Sequence, residues 1–381
     1  MFLRFRNKLY GASALLILIL GIPTFASAGA KIKIDDTKWF SVGMGFRSSI
    51  AVTQGGAVNG ADGTDIGTNN MRLYTAAKVH ENITVEYNTE IASNNESDKN
   101  IRLLDAVVKF NIAGFDFWTG RFLPPSDRSN LDGPFYLNAY DFPGTAQAYP
   151  AIHAGRDNGA AIMKEYNGGQ FKFSYGVFEG RTNTTNTDIN PDDEDNFLHA
   201  ARATINLWDP EPGYYTTSSY YGAKDVLAFA VAYQYEKDGA GTGTTETLRS
   251  DFNAWSVDVL MEKKIQNGAV VNLEGAYYNY DTDEKADTSI TQGQSYLLLA
   301  SYLMPNSIGW GKLQPYVRQQ HFSRETDGDA TANGGHWRSE GGLNYIIDGQ
   351  NAKLNATYYV DKNGTGADEK GTFLVGFQFQ L

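Results

Sequence analysis

Five arginines lie in segments where apolar and polar residues alternate, and four of them fall on the polar side. They are Arg72, Arg121, Arg202, Arg318 and Arg338, and the alternation leaves the side of Arg121 open. A strand points alternate side chains to opposite faces, so these guanidinium groups share the face away from the apolar row. Guanidinium groups stay charged in proteins, and fixed charges act strongly on ions in a narrow passage. The pattern predicts a basic wall wherever these strands enclose water.

A long stretch without strand periodicity, 123–156, carries charges that could face this wall. Asp127, Arg128 and Asp132 lie near its start. A stretch of this length in a compact domain is usually functional. Five prolines stiffen it, and several aromatic residues in it would be costly to leave in water: Phe135, Tyr136, Tyr140, Phe142 and Tyr149. We expect it to fold inward, to narrow the path and to create a transverse field with the basic wall; a mobile surface loop is the alternative.

The elements that must position these side chains are strands. Met71 and Leu73, for example, oppose Arg72 and Tyr74 in the alternation. Sixteen segments have the length of strands, and most alternate: 38–52, 70–79, 83–92, 101–112, 115–122, 157–166, 170–179, 197–208, 225–236, 253–264, 269–280, 294–304, 312–322, 337–347, 352–361 and 371–381. The phase is unclear in the segments 115–122, 157–166 and 294–304, where a bulge or a two-sided apolar strand fits equally. No segment has a convincing helical period.

Connection lengths distinguish a membrane barrel from a soluble sandwich. Short turns containing Gly or Asn follow several strands: 80–82, 167–169, 266–268 and 348–350. Long polar connections mostly alternate with them: 53–69, 180–196, 237–252, 281–293 and 323–336. This asymmetry is typical of outer-membrane barrels, with short periplasmic turns and long outer loops. The segment 209–224 breaks it, because it is long and Tyr-rich on the turn side, so it holds either an extra element or a strand that the pattern misses.

The pattern therefore predicts an all-β fold. We expect a transmembrane antiparallel β-barrel of about 16 strands, with the third long loop folded into the lumen. The last segment, 371–381, alternates strictly, with Phe373, Val375 and Phe377 on the side of lipid and Gln378 on the side of the lumen. It is similar to the C-terminal recognition signal of barrel assembly, although it ends in Leu where Phe is usual. Taken alone, the same segment also fits a terminal strand of a soluble sandwich.

The N-terminus predicts export. Arg4, Arg6 and Lys8 precede an apolar run, and Ala26-Ser27-Ala28 is a cleavage site of the A-x-A kind. We expect residues 1–28 to be a signal peptide and 29–381 to be the barrel, located in the bacterial outer membrane. The apolar run is shorter than the ~20 residues that a spanning helix needs.

Composition excludes several classes of function. The net charge is −12, and removing the three basic residues of the signal leaves −15, which disfavours a nucleic-acid partner. The chain has no cysteine, so it has neither disulfides nor thiolate metal sites. The mean hydropathy is −0.40, yet there are 23 Tyr and 21 Phe, as expected where alternation hides the apolar face and aromatic girdles mark the interfaces.

Catalytic and metal-binding motifs do not stand out. The five histidines are scattered, and the chain has no H-E-x-x-H, G-x-S-x-G or P-loop motif. We therefore expect no enzyme, no cofactor and no metal. A Ser–His pair built across strands with His199 or His321 stays open. Two acidic loops, at 188–195 and 281–287, could bind divalent cations, but neither has the ligand spacing of a calcium loop.

One motif suggests a family. The sequence Gly120-Arg121-Phe122-Leu123-Pro124-Pro125 resembles the strand exit into loop three of the phosphate-selective porin O and P family, and the strand layout is similar to bacterial porins over the whole mature chain. The resemblance implies a sixteen-stranded trimeric channel biased towards anions. The sequence departs from the family in one respect, since 123–156 contains only Arg128 and Arg156 instead of a run of basic residues. It therefore does not predict a dedicated phosphate site.

These observations lead to one functional hypothesis. We expect an outer-membrane porin, a passive diffusion channel for small polar solutes with a weak preference for anions such as phosphate or other oxyanions. We expect it to form a homotrimer and to contact outer-membrane lipid and lipopolysaccharide. The eyelet is expected to combine the five wall arginines with Asp127, Arg128 and Asp132. A closed barrel acting as a scaffold, adhesin or hydrolase is the alternative.

Overall fold

The computed structural model describes residues 29–93, 101–144, 146, 155–180, 196–241, 249–283, 292–324, 335–364 and 367–381. Within them lie seventeen strands and one short helix: β1 (Ala30–Lys33), β2 (Trp39–Thr53), β3 (Gly63–His80), β4 (Ile83–Ser93), β5 (Arg102–Ile112), β6 (Phe115–Phe122), α1 (Arg128–Asp132), β7 (Asp157–Tyr166), β8 (Phe171–Phe178), β9 (Leu198–Asn206), β10 (Val226–Gly241), β11 (Arg249–Lys264), β12 (Val270–Asp281), β13 (Gly293–Leu303), β14 (Lys312–Arg324), β15 (His336–Asp348), β16 (Ala352–Asn363) and β17 (Lys370–Gln380).

The strands form one closed antiparallel barrel. Each strand from β2 to β16 pairs with the next in the chain, and β17 pairs with β2 from Thr372↔Thr53 to Gln380↔Gly45. Closure leaves no open edge along the wall, which a membrane barrel requires because lipid cannot satisfy backbone groups. The predicted sixteen-stranded barrel is confirmed. The short strand β1, which the pattern did not predict, pairs with β2 beyond the end of β17.

The alternation along the strands divides the wall into two faces. On β17, Phe373 and Val375 are exposed on the outside, whereas Gln378 and Gln380 are buried on the inside. The strand β13 resolves the ambiguity at 294–304, because it is apolar on both faces, with Leu298 exposed outside and Leu297 buried inside. An apolar exterior around a polar interior is the arrangement that a lipid bilayer stabilises.

Several strands are longer than predicted. The strand β3 begins at Gly63 and β10 continues to Gly241, so parts of the predicted connections 53–69 and 237–252 belong to the sheet. Hairpin pairing continues the backbone ladder into residues whose apolar–polar alternation is too weak to predict a strand. The helix α1 was not predicted, because five residues are too few to show a helical period. No helix in the described part of the chain is long and apolar enough to cross a membrane.

Candidate functional site in the barrel lumen

Loop three enters the lumen, as predicted. Residues 123–132 and 137–140 are buried, although they lie between strands and not within them. The helix α1 sits in this loop, and its five residues are all buried. Phe135 and Tyr140 are each 1% exposed. The loop therefore fills part of the lumen; positions 145 and 147–154 lie outside the described residues.

Glycines on the inner face of the wall make room for these two rings. A Cβ on Gly45 would lie 2.7 Å from the Phe135 ring, and a Cβ on Gly376 would lie 2.5 Å from the Tyr140 ring. The Tyr140 hydroxyl donates a hydrogen bond to the Ser48 carbonyl at 2.8 Å. The wall of β2 and β17 is thus shaped to receive loop three.

Four of the five predicted wall arginines point into the lumen, and each is paired with a carboxylate of the wall. Arg72 Nε lies 2.7 Å from Glu90 Oε1. The other pairs are Arg202 with Asp258 at 2.6 Å, Arg318 with Glu340 at 2.5 Å, and Arg338 with Asp361 at 2.7 Å. The basic wall is therefore a wall of ion pairs, whose charges largely cancel at a distance.

Three of these arginines also hold loop three. Arg202 donates to the Ser126 carbonyl at 2.9 Å, and Arg318 donates to the Asp141 carbonyl at 2.7 Å. Arg338 lies 3.5 Å from the Asp141 carboxylate. These side chains therefore anchor the loop against the wall instead of facing it across an open gap.

Arg121 does not join this group. It shares its side of β6 with Phe117 and Thr119, which are exposed on the outer surface, while Trp118 and Phe122 are buried inside. Strand alternation therefore places Arg121 on the outward row at the end of β6. The expectation that Arg121 lines the constriction is not supported by its position, because the phase that the sequence left open falls outward.

The segment that broke the connection pattern also enters the lumen, from the opposite end. We name residues 210–224 the turn-side plug. Backbone pairing of Asp209 with Asp225 at 2.9 Å closes its base, and Ser218 and Ser219 within it are buried. It is therefore an extra irregular element and not a missed strand.

The plug contacts the helix of loop three through a buried ion pair. Arg128 and Glu211 are each 1% exposed. Two parallel hydrogen bonds join them, from Nη1 to Oε1 at 2.9 Å and from Nη2 to Oε2 at 2.6 Å. Burial would raise the pKa of the Glu211 carboxyl, but the Arg128 guanidinium overrides this and holds that pKa below its usual value. Arg128 thus connects two loops, a role that the sequence did not indicate.

Asp132 binds the same plug in a different way. Its two carboxylate oxygens accept hydrogen bonds from the hydroxyls of Thr216, at 2.5 Å, and Ser218, at 2.6 Å. Burial raises the pKa of Asp132 well above its usual value, although the Arg128 guanidinium opposes this. The third predicted loop residue, Asp127, accepts a hydrogen bond from the Tyr278 hydroxyl at 3.0 Å. Both loop acids therefore bind neighbouring hydroxyls.

A wall carboxylate anchors the far half of the plug. Glu262 is 0% exposed and accepts hydrogen bonds from the Ser219 hydroxyl at 2.9 Å, the Tyr220 N–H at 2.9 Å and the Gly222 N–H at 2.8 Å. Asn272 donates to the same carboxylate at 3.1 Å. Several donors therefore converge on one acceptor group of β11, which fixes this half of the plug to the wall.

A cavity of about 610 Å³ remains beside the two inserted segments, at the turn end of the lumen. Strands β2 to β9 form its wall, and Leu131 of loop three with Gly213 and Tyr214 of the plug close its other side. Among its lining residues are five basic side chains, Lys78, Lys109, Lys164, Lys172 and Arg202, and four acidic ones, Glu81, Glu86, Asp116 and Glu165. Trp118 contributes an aromatic surface, with Lys109 Nζ 3.6 Å from its ring centroid.

Solved structures with this architecture were found by comparison. An anion-selective porin from Comamonas acidovorans is 11% identical, covering 90% of this chain and 100% of its own, with a TM-score of 0.57. The outer-membrane channel DcaP of Acinetobacter baumannii is 13% identical, with 93% and 100% covered and a TM-score of 0.57. OmpT of Vibrio cholerae in a trimer form is 12% identical, with 91% and 100% covered and a TM-score of 0.56. The fold is that of outer-membrane porins.

At these identities the likeness concerns the porin fold alone. No family model matches the chain, and no curated protein matches its sequence. The porin barrel, together with the apolar outer face, places the chain in the bacterial outer membrane. The resemblance to the O and P family in particular receives no support from these comparisons.

Sequence reasoning missed some residues that hold the interior of this porin barrel. Arg47 donates to the Tyr140 carbonyl and lies 4.3 Å from the Tyr140 ring. Lys353, whose strand phase predicts the lumen side, donates to the Leu137 carbonyl at 2.7 Å. Glu211 in the plug was missed as well. The buried Tyr140 and the Tyr-rich composition of the plug give the same signal, since tyrosines in a long polar connection are costly to leave in water. The inward fold was predicted for loop three alone, although the same signal is present in 209–224.

The histidines named in the alternative hypothesis lie outside the lumen. His199 is on the outer row of β9, 2.8 Å from the Tyr175 hydroxyl, and His321 stacks on Tyr296 with ring centroids 5.5 Å apart. In the part of the chain that the structure describes, no group of three or more His, Asp or Glu side chains could hold a metal ion. Positions 181–195 and 284–291, with most of both acidic loops, lie outside that part.

Proposed function

We propose that the protein is a passive porin channel for small polar solutes. The observation that supports this most is the polar cavity of about 610 Å³, which loop three and the plug border inside a closed barrel. Its lining combines charged groups of both signs with aromatic surface and offers no constellation of a catalytic kind. The proposal therefore includes no catalysis, cofactor or metal.

The proposed ion preference is a weak one for anions. Basic and acidic side chains nearly balance along the cavity, five against four, and Arg202 among the basic ones is itself paired with Asp258 of the wall. A charge difference this small biases the entry of ions without binding one tightly. Only Arg128 and Arg156 are basic in 123–156, and both are paired with carboxylates, so we propose a general preference for small oxyanions instead of a dedicated phosphate site.

Conductance of the purified protein in planar lipid bilayers tests the proposal. Discrete, ohmic current steps are expected from the folded trimer or monomer. A protein that is folded by its circular dichroism and resistant to unfolding, yet gives no steps at any voltage, would disprove the channel. It would leave the scaffold or adhesin alternative.

Charge variants of the cavity test the ion preference. Replacing Lys78 and Lys109 by Gln should shift the reversal potential in a salt gradient towards cations, because two positive charges leave the lining. The matched variants Glu81→Gln and Glu86→Gln should shift it towards anions. If the lysine variants and the glutamate variants have the same reversal potential, this would contradict the passage of ions along this cavity.

The assembly and processing are proposals as well. We infer a homotrimer in contact with outer-membrane lipid and lipopolysaccharide, supported by the porin fold and by the trimer form of one structural neighbour. Native mass spectrometry of the protein in detergent measures the number of chains. The intact mass of the exported chain shows whether cleavage follows Ala28.

A further inference from the structure

We propose that the turn-side plug sets the width of the pore, because its contacts with α1 fix the position of loop three. Glu211 is the positioning residue of this device, and Arg128 is its partner. The inference rests on the proposed channel function and adds a specificity-determining element to it. It concerns residues 210–224, which neither the strand pattern nor any family resemblance connects with transport.

The plug and loop three contact each other through buried side chains. The plug holds α1 at both ends, through Glu211 to Arg128 and through the hydroxyls of Thr216 and Ser218 to Asp132. The Ser218 N–H also donates to the Tyr136 carbonyl at 3.0 Å. Buried, charge-assisted bidentate contacts are strong and allow one geometry. The two segments therefore form one unit.

The plug is also fixed to the barrel independently of loop three. Glu262 accepts its backbone N–H groups at Tyr220 and Gly222. The turn between β7 and β8 packs directly on its start, since a Cβ on Gly169 would lie 2.6 Å from the Glu211 carbonyl oxygen. Gly169 has φ +101°, a conformation that favours glycine. An anchored plug can position a loop, whereas a loose one cannot.

The free space in the lumen is also unevenly distributed. Loop three and the plug bind the wall from β11 round to β2, for example through Asn138 to Ser301 at 2.9 Å and through Gln378 to the Phe135 carbonyl at 2.7 Å. Along β2 to β9 they also bind at single points, such as Lys172 to the Gly213 carbonyl at 3.0 Å, but the cavity of about 610 Å³ lies against these strands. Tyr214 of the plug borders it, with its ring centroid 5.0 Å from that of Trp118. Solutes are therefore confined between the plug and this half of the wall.

The variant Glu211→Gln tests the inference, since it keeps the shape of the side chain and removes its charge. Because the interaction between Glu211 and Arg128 is weakened, the position of loop three should fluctuate. The open-channel current noise should rise, and sugars larger than the limit of the parent should enter proteoliposomes in swelling assays. Glu86→Gln is the matched control, because it removes a cavity carboxylate that has no hydrogen bond to the plug. It should shift the reversal potential but leave the noise and the size limit unchanged.

Hydrogen exchange separates this inference from the channel proposal. The amides of 128–136 should exchange at least about tenfold faster in Glu211→Gln, which corresponds to about 1.4 kcal/mol of local stability. If the amides of 128–136 exchange faster in Glu211→Gln but the protein does not conduct, the contact between the plug and α1 is supported and the channel proposal is contradicted. A conducting Glu211→Gln variant with the noise, size limit and exchange of the parent overturns the inference.

If Glu211→Gln does not fold, a double variant still tests the contact between the plug and loop three. Arg128→Gln combined with Glu211→Gln removes both charges and leaves no buried ion without its partner. If the two residues act as a pair, the double variant should raise noise and exchange no more than either single variant. Additive effects would show that Glu211 does not act through Arg128.

Discussion

At the scale of single residues, the lumen is governed by the cost of placing charges in a confined interior. Three of the arginine–carboxylate pairs are direct cross-strand neighbours, as in Arg318 and Glu340, so register alone brings them together. Arg202 differs, since it reaches past Ala230 and Ala232 of β10 to bind Asp258 on β11. Small side chains between the partners make that reach possible. The lumen is therefore lined by fixed ion pairs of opposite charge instead of isolated charges.

The two carboxylates that bind the plug and loop three should respond differently to amide replacement. Glu211→Gln should destabilise the fold by about 3–5 kcal/mol at neutral pH, because Arg128 loses a buried partner. Asp132→Asn should cost much less, because burial already disfavours the charged form of Asp132. Midpoints of thermal unfolding in detergent measure both. A larger loss for Asp132→Asn would contradict the assigned charge states.

Acid should affect the same two groups in opposite directions. The pKa of Glu211 is lowered in the fold, so its stabilising contribution is complete above the ordinary glutamate pKa and is lost as the pH falls towards the lowered one. The pKa of Asp132 is raised, so its unfavourable contribution fades as the pH falls through that raised value. Glu211→Gln should therefore be less sensitive to acid than the parent. Unfolding midpoints between neutral and acidic pH check this, with Asp132→Asn as the comparison.

At the scale of elements, the fit between strands and inserted segments depends on residues without side chains. Gly45 and Gly376 lie on the inner rows of adjacent strands β2 and β17, where loop three brings Phe135 and Tyr140. A strand interior normally disfavours glycine, so its presence marks a close approach. The plug uses the same device at Gly169. At each of these glycines, the wall therefore leaves room for the group of loop three or of the plug that packs against it.

Gly376→Ala should displace the Tyr140 ring and destabilise the fold by about 1–3 kcal/mol through overpacking. The change should also alter conductance, because loop three carries that ring. Gly341→Ala is the matched control, since no atom lies within 4 Å of its Cβ position. Unfolding midpoints and single-channel conductance of both variants measure the effect. Equal behaviour of the two variants would show that the ring does not define the position of the loop.

At the scale of the whole molecule, the barrel separates two environments and two inserted segments divide its interior. Lipid contacts the apolar outer rows, and loop three and the plug meet inside from opposite ends. Because the ring of strands is closed, both segments are held by a wall that cannot open at an edge. The cavity that both segments border lies along β2 to β9, so the proposed route for solutes runs along that part of the wall.

A charge on the outer face should be costly wherever lipid covers it. Val257 is exposed near the middle of β11, and Val257→Arg should reduce the free energy of folding into lipid vesicles by about 2–4 kcal/mol. Val58 is also exposed but lies in the connection between β2 and β3, so Val58→Arg should have little effect. Denaturant titrations in vesicles measure both. Equal losses at the two positions would contradict the placement of β11 in the bilayer.

The sequence alone predicted the sixteen strands of the barrel, their inner and outer faces outside three segments of unclear phase, and the entry of loop three as the favoured alternative, because period-two alternation and costly exposed aromatics are local signals. It placed Arg72, Arg202, Arg318 and Arg338 on the inner face for the same reason. Only the tertiary structure decided their partners and the outward side of Arg121. It alone showed that Arg128 meets Glu211 across 83 positions of the chain and that residues 210–224 form a plug. Irregular segments have no period, and contacts between two of them depend on how the closed wall brings them together.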